Sequence, residues 1–275
     1  MAKYLLIGHI TEDLIPAGKR LGGTVTYSGL TATALGQSVR ILTACADNTD
    51  LSPINALELT RIPSEFTTTF ENVQTKAGRI QFLHKSAVRI PEKLIRSQNA
   101  EIMHFAPVMQ DFDFKVIQQL CPNTFIGVTP QGWMRTIGTD MQVQHIAWRP
   151  EPESLARVNA LVCSEEDIAV NENMLDYYRR FCNIVALTRG ESGASIFTKK
   201  KTTEIQAPSV SMVEATGAGD VFAAAFFSAL QAGAAPDNAG RFAVNLATQS
   251  VTRIGLESIP TAREIQYNSN ILTLS

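Results

Sequence analysis

The segment Val213–Leu230, VEATGAGDVFAAAFFSAL, constrains this chain more than any other stretch. Its first half, Thr216-Gly217-Ala218-Gly219, is small and flexible. Its second half carries apolar residues at Val221, Phe222, Ala225, Phe226, Ala229 and Leu230, the spacing of a buried helix face. A turn that runs straight into a helix leaves backbone N–H groups unpaired at the positive end of the helix dipole. That arrangement takes anions, phosphate above all. Asp220 falls where the turn becomes helix. A carboxylate there opposes a bound phosphate, so binding alone explains it poorly. A base that removes the proton of a hydroxyl attacking that phosphate belongs there. The alternative is an ordinary acidic residue in a helix's first turn, and the glycines alone do not separate the two. No G-x-x-x-x-G-K-[ST] loop occurs anywhere in the chain.

A chain of 275 residues, 45% hydrophobic and 18% charged, can bury a sizeable core as one large α/β domain or two small ones. The net charge of −2 offers no basic excess for nucleic acid or an anionic membrane, so neither is expected as a partner. The cysteines (Cys45, Cys121, Cys163, Cys182) are scattered without a C-x-x-C pair, and three of them lie in or beside apolar runs. Reduced, mostly buried thiols are expected. No apolar run approaches the ~20 residues of a membrane helix, and Tyr4–Ile7 is too short for a signal sequence. The expected location is the cytoplasm.

Taken in order, Lys3–Ile7 reads as a central parallel strand, and the polar run His9–Asp13 follows its carboxyl end, where open α/β sheets bind ligands. Leu14–Leu21, with Pro16 and Gly18, reads as a short excursion, and Thr24–Leu35 as a helix opened by Gly22-Gly23 and stopped by Gly36. Val39–Ala44 is a strand and Asp47–Leu59 a loop with a short helix. TTTFENV and RIQFLHK flank Lys76-Ala77-Gly78 as a half-exposed hairpin. Strands are expected at Glu101–Phe105, Thr124–Val128, Ala160–Cys163 and Ile184–Leu187, and helices near Phe112–Leu120, Asn171–Phe181 and Pro236–Thr252. A hairpin over 195–205 has Lys199–Lys201 as its solvated tip. Gln131, Trp133 and Arg135 follow a strand's carboxyl end; Trp133 suits the core, while Arg135 has no ready structural reason. This strand–helix alternation predicts a mostly parallel sheet covered by helices on both faces.

T-G-A-G-D with its small and aromatic helix resembles the second signature of the ribokinase-like (PfkB) carbohydrate kinases, and Gly22–Gly36, GGTVTYSGLTATALG, resembles the first. The likeness runs from Lys3 to about Ile265 and implies a three-layer α/β/α sandwich with a small β lid, residues 1–275 forming one domain with lid segments near 10–22 and 65–88. It implies that Asp220 is the catalytic base and that Gly217, Ala218 and Gly219 form the anion hole. Asp13, Gly22, Gly23 and Tyr27 fall at acceptor-binding positions, Tyr27 replacing the family's usual Asn. Thr188, Gly190 and Gly193 match the T-x-G-x-x-G turn beside the nucleotide, and Thr216 and Asn245 join that side. The family's N-x-x-E, whose Glu organises water around Mg²⁺, is replaced by Ser164 and Asp167; a solvated acidic turn explains Asp167 equally well. Many relatives have Asp at Glu214, where it helps hold a monovalent cation, and the longer side chain puts that site in doubt.

Within the family, Tyr27-Ser28, the TTTFEN strand, Gln131–Arg135 and Glu214 are closest to myo-inositol kinases. The implied reaction moves the γ-phosphoryl group of ATP, with Mg²⁺, to a sugar or polyol hydroxyl, myo-inositol first among them, by a monomer or homodimer. The ring of Asp13, Tyr27, Gln131 and Arg135 offers the donors and acceptors that an uncharged polyol needs. A nucleoside or hexose kinase is the alternative within the enzymes, and a non-catalytic sugar-binding regulator on the same scaffold is the alternative outside them.

Overall fold

The apolar run Tyr4–Ile7 forms β1, buried along its whole length near the middle of the main sheet of this computed structural model, which describes residues 3–75, 78–171 and 173–273. Its side chains alternate between two cores: Tyr4 and Leu6 face one, Leu5 and Ile7 the other. A strand apolar on both faces needs cover on both, which is why helices flank it.

Chain order continues with β2 (Thr11–Ile15), β3 (Gly18–Gly22), α1 (Thr24–Ala34), β4 (Val39–Cys45), β5 (Glu58–Pro63), β6 (Thr68–Thr75), β7 (Gly78–Lys85) and α2 (Glu92–Arg96). Next come β8 (Ile102–Phe105), β9 (Phe125–Val128), β10 (Arg135–Ile137), β11 (Val143–His145), α3 (Pro152–Leu155), β12 (Ala160–Ser164), α4 (Glu165–Ile168) and α5 (Met174–Phe181). The last are β13 (Ile184–Thr188), β14 (Ala194–Thr198), β15 (Thr202–Ile205), α6 (Ala218–Gln231), α7 (Pro236–Ser250) and α8 (Ala262–Ser269). The main sheet runs β15-β14-β13-β12-β9-β8-β1-β4-β5. Pairing is parallel from β5 to β13, and β13-β14-β15 closes that edge antiparallel. This is the ribokinase-like α/β architecture expected above.

One face is packed by α1, α6 and α7 through Val25, Phe222, Phe226, Phe242 and Leu246. The other is packed by α3, α5 and the segments after β8 and β9, through Phe112, Trp133, Leu155 and Tyr178. Trp133 is a core residue: its indole N–H donates to the Phe112 carbonyl and its ring stacks on Trp148. Cys45, Cys163 and Cys182 are buried and Cys121 is exposed. No helix among the described residues is long and apolar enough to cross a membrane.

A second sheet, ordered β3-β2-β6-β7, stands apart from the first. The excursion expected over Leu14–Leu21 is its β2–β3 hairpin; alternation there is hidden because β2 is only half-buried. The β6–β7 hairpin forms as expected, with Lys76 and Ala77 of its turn outside the described residues. Phe70 and Leu83 pack beneath it on Val108, Met109 and Val143. Three further expectations change. The region Asp47–Leu59 leads into β5, an edge strand whose solvated face and terminal Pro63 conceal it in the sequence. Phe114–Gln119 is a 3₁₀ helix, and α5 starts at Met174.

Candidate active site

The turn before α6 is shaped by one glycine. Gly217 has φ 84°, and a Cβ there would lie 2.3 Å from Cδ1 of the Tyr27 ring. Its neighbour Gly219 has neither constraint: a Cβ there would meet nothing within 4 Å. The Ala218 N–H is used inside the turn, donating to the Ala215 carbonyl at 3.2 Å, so of the expected anion-hole amides this one already has an acceptor. The first N–H groups of α6 have none within the helix.

Asp220 sits in the first turn of α6, partly open to the crevice. Its backbone carbonyl accepts from Ser28 Oγ at 2.9 Å, which ties α1 to the turn. Burial pushes its carboxyl up to about 7, against the opposing pull of the Thr24 hydroxyl and the Arg135 charge; Asp167 adds to the rise. A carboxyl with that pKa can hold or release a proton near neutrality, as a general base must.

Above the turn, the small sheet presents Asp13 on β2 opposite Arg20 on β3. Gly22 leaves room for the Asp13 carboxylate, since a Cβ there would lie 2.7 Å from its Oδ2, and Gly23 follows as the residue preceding α1. Tyr27 is fully buried, and its hydroxyl has no hydrogen-bond partner. Burial raises its pKa while the Arg20 charge opposes the rise, and Asp220, Glu214 and Asp13 are near enough to add to it. Arg135 is buried, donates from Nη1 to the Val108 carbonyl at 3.2 Å and lies 5.9 Å from the centre of the Phe70 ring. Asp13, Tyr27, Arg135 and Asp220 therefore come together from separate parts of the chain. Gln131 is half-buried on the 3₁₀ turn ahead of Arg135.

On the other side of the turn lies a cavity of about 520 Å³. Thr188, Gly190, Gly193, Ala218 and Gly219 line it together with Val210, Met212, Val244, Ala247 and Val251. Thr216 bonds to Glu214. Asn245, expected beside the nucleotide, is not in the wall; its amide donates to Asn268 Oδ1 at 2.9 Å, because one turn of α7 rotates it toward α8. Asp167 closes a capping box, accepting from the Ser164 N–H at 2.9 Å and the Ser164 hydroxyl at 2.8 Å. Among the described residues no group of three His, Cys, Asp or Glu is placed to hold a metal.

Glu214 is the largest departure from expectation. Arg20 donates to both its oxygens, at 2.7 and 3.2 Å, and the Gly255 N–H adds a third bond at 2.7 Å. Burial pushes this carboxyl up, but the Arg20 and Gly255 hydrogen bonds outweigh it and hold the group below the ordinary glutamate value. A guanidinium thus stands where a small cation was in question. Arg20 had one recoverable signal: in a β2–β3 hairpin it lies two residues before Gly22 and opposite Asp13.

Residues 156–262, which include the turn and Asp220, match the family model of pfkB family carbohydrate kinases. A fructokinase from Rhizobium leguminosarum bv. trifolii is 21% identical over 243 residues, 82% of this chain and 71% of that protein. Among solved structures, a pyrophosphate-dependent kinase in the ribokinase family, complexed with a pyrophosphate analog and myo-inositol, superposes with TM-score 0.79 at 21% identity, over 93% of this chain and 98% of that one. A putative ribokinase II from E. coli, in complex with ATP and Mg²⁺, superposes with TM-score 0.72 at 18% identity, over 98% and 99%. The chain is a carbohydrate kinase with the ribokinase-like fold, and its residues 156–262 are similar to the pfkB family carbohydrate kinases.

Proposed function

We propose that the protein transfers the γ-phosphoryl group of ATP to a hydroxyl of an uncharged sugar or polyol, with myo-inositol as its acceptor. The observation that carries this reading is the position of Asp220, between a cavity on one side of the Gly217–Gly219 turn and a ring of polar side chains on the other. An acceptor hydroxyl between Asp13 and Asp220 loses its proton to Asp220 as it attacks the phosphorus. The first amides of α6 carry the charge of the moving phosphoryl group. The small sheet acts as a lid that excludes water from this step.

Two donors occur among the structural neighbours, pyrophosphate and ATP. The cavity favours ATP here, because the apolar wall of Val210, Met212, Val244 and Val251 suits a nucleoside and offers nothing to pyrophosphate. Mg²⁺ keeps several waters and needs only one or two carboxylates beside the phosphates. Asp167, close enough for its charge to act on Asp220, fits that need. Bound there, the ion would neutralise phosphate charge. Myo-inositol is supported by the polar ring and by the neighbour that binds it; the fructokinase relative supports a hexose as the second reading. The protein acts in the cytoplasm on this reading, as a monomer or homodimer. The test is ADP release from ATP and Mg²⁺ across inositols, hexoses, ribose and nucleosides. Turnover with myo-inositol above the rest supports the acceptor; preference for fructose or adenosine overturns it, and no ADP with any acceptor overturns the reaction.

A further inference from the structure

The bonds around Glu214 link two regions that the proposed reaction must bring into register. Arg20 belongs to β3 of the small sheet, opposite Asp13, and its guanidinium grips Glu214 with both terminal nitrogens. Glu214 in turn belongs to the short segment between Met212 and Ala215, which both line the donor cavity. The N–H groups of Val213 and Glu214 both donate to the Val251 carbonyl, at 2.8 and 3.1 Å, and Val251, Met212 and Ala215 line the cavity. Gly255, beyond α7, closes the arrangement from a third element through its N–H. Arg20 Nε is buried and has no partner; the same is true of the nearby Tyr27 hydroxyl.

An isolated ion pair on a surface contributes little, because water screens it and both side chains lose freedom. This pair differs in kind. It is bidentate, about three-quarters buried on both sides (25% and 22% exposed), and shared by three chain segments. Lys19, the neighbouring residue, shows the contrast: its ammonium pairs with Glu12 of the same hairpin while half exposed. Such a pair ties no second region to the small sheet.

We propose that Arg20 is a positioning residue that couples acceptor binding to donor binding through its clasp on Glu214. An acceptor held by Asp13 draws β2 and β3 into place. Arg20 then fixes the loop carrying Met212–Ala215, and with it the cavity wall and the turn that follows. Because linkage is reciprocal, a donor in the cavity raises the acceptor's affinity by the same factor. The inference rests on the two-sided reading of the site given above.

The test measures binding of a non-hydrolysable ATP analogue with Mg²⁺, with and without saturating myo-inositol or whichever acceptor turns over best. The wild-type protein is expected to bind the analogue more tightly with acceptor present, by a factor within the ~5–150-fold range usual for such coupling. In Arg20→Met and in Glu214→Gln the factor falls to within about two-fold of one, with each ligand's separate affinity changed far less. Arg20→Lys, which keeps the charge but not the fork, recovers part of it. Lys19→Met keeps the wild-type factor, and melting temperatures identify any variant that has merely lost its fold. A wild-type factor near one, or its full retention in a folded Arg20→Met protein, overturns the proposal while leaving the kinase reading intact. A wild-type protein that turns over no acceptor overturns both.

Discussion

The cavity side of Asp220 is carried by α6, α7 and the β13–β15 edge, all anchored in the main sheet, whereas the opposite side is assembled from the small sheet, α1 and the segment after β9. On the cavity side most of the wall follows from a few contiguous stretches, 188–193 and 207–219, plus one face of α7. On the other side Asp13 and Tyr27, from β2 and α1, and Arg135, from far along the chain, are brought within electrostatic reach of one another or of Asp220 only by the fold. A contiguous site keeps its chemistry in a short string of residues. A dispersed one can change its ligand by altering single side chains on different supports. The reaction type is therefore written in one short string, and the acceptor in side chains on separate supports.

The largest expected effect is at the residue between the two sides. Asp220→Asn should lower turnover by ~10²–10⁴-fold while both ligands still bind. Its stability should not fall. A buried carboxyl whose pKa is raised costs stability as pH rises from the ordinary aspartate value through about 7, so the amide should melt no lower than wild type at pH 8. Asp13→Ala is the next largest. It should reduce kcat/KM for the acceptor by ~10²-fold, since a charged hydrogen bond and the positioning of the hydroxyl are both lost, with donor affinity nearly unchanged. A fall in donor affinity of the same size would remove the distinction between the two sides.

Two glycines sharpen the comparison within the turn itself. Gly217→Val should lower both the melting temperature and turnover, because the side chain meets the Tyr27 ring in a left-handed backbone conformation. Gly219→Ala should leave the melting temperature within a few degrees of wild type and raise the donor KM, because its methyl group projects into the cavity rather than into packed protein. Equal loss of stability in both would show that the turn, not the cavity, requires the second glycine.

These two glycines also show what the sequence could convey. T-G-A-G-D states that a helix begins at an anion-binding turn, since that follows from backbone geometry alone. It does not state which glycine is confined by packing, because Tyr27 lies far away in the chain. The central strands were legible because β1, β8, β9, β12 and β13 are nearly continuous apolar runs. Edge and small-sheet strands such as β2, β3 and β5 were not, because a half-solvated strand has no such run. Arg20 and Glu214 could not be paired in advance for the same reason: their meeting depends on where β3 stands relative to the main sheet. Asn245 reads correctly as a residue of α7 but not as one facing α8, a matter of rotation about one helix axis.

The smallest expected effect concerns Arg135, whose charge lowers the Asp220 pKa from the acceptor side. Arg135→Met should move the acid limb of the activity profile upward without abolishing transfer, and an unmoved limb would detach Arg135 from the base. That profile in the wild-type protein is the most direct test of the central claim, that Asp220 takes the acceptor's proton. Measured as kcat/KM for the acceptor, which reports the enzyme before the acceptor binds, activity should fall tenfold per pH unit below about 7, and the residual activity of Asp220→Asn should lack this limb. A wild-type profile flat from about pH 5 to 8, or the same acid limb surviving in Asp220→Asn, would contradict the account.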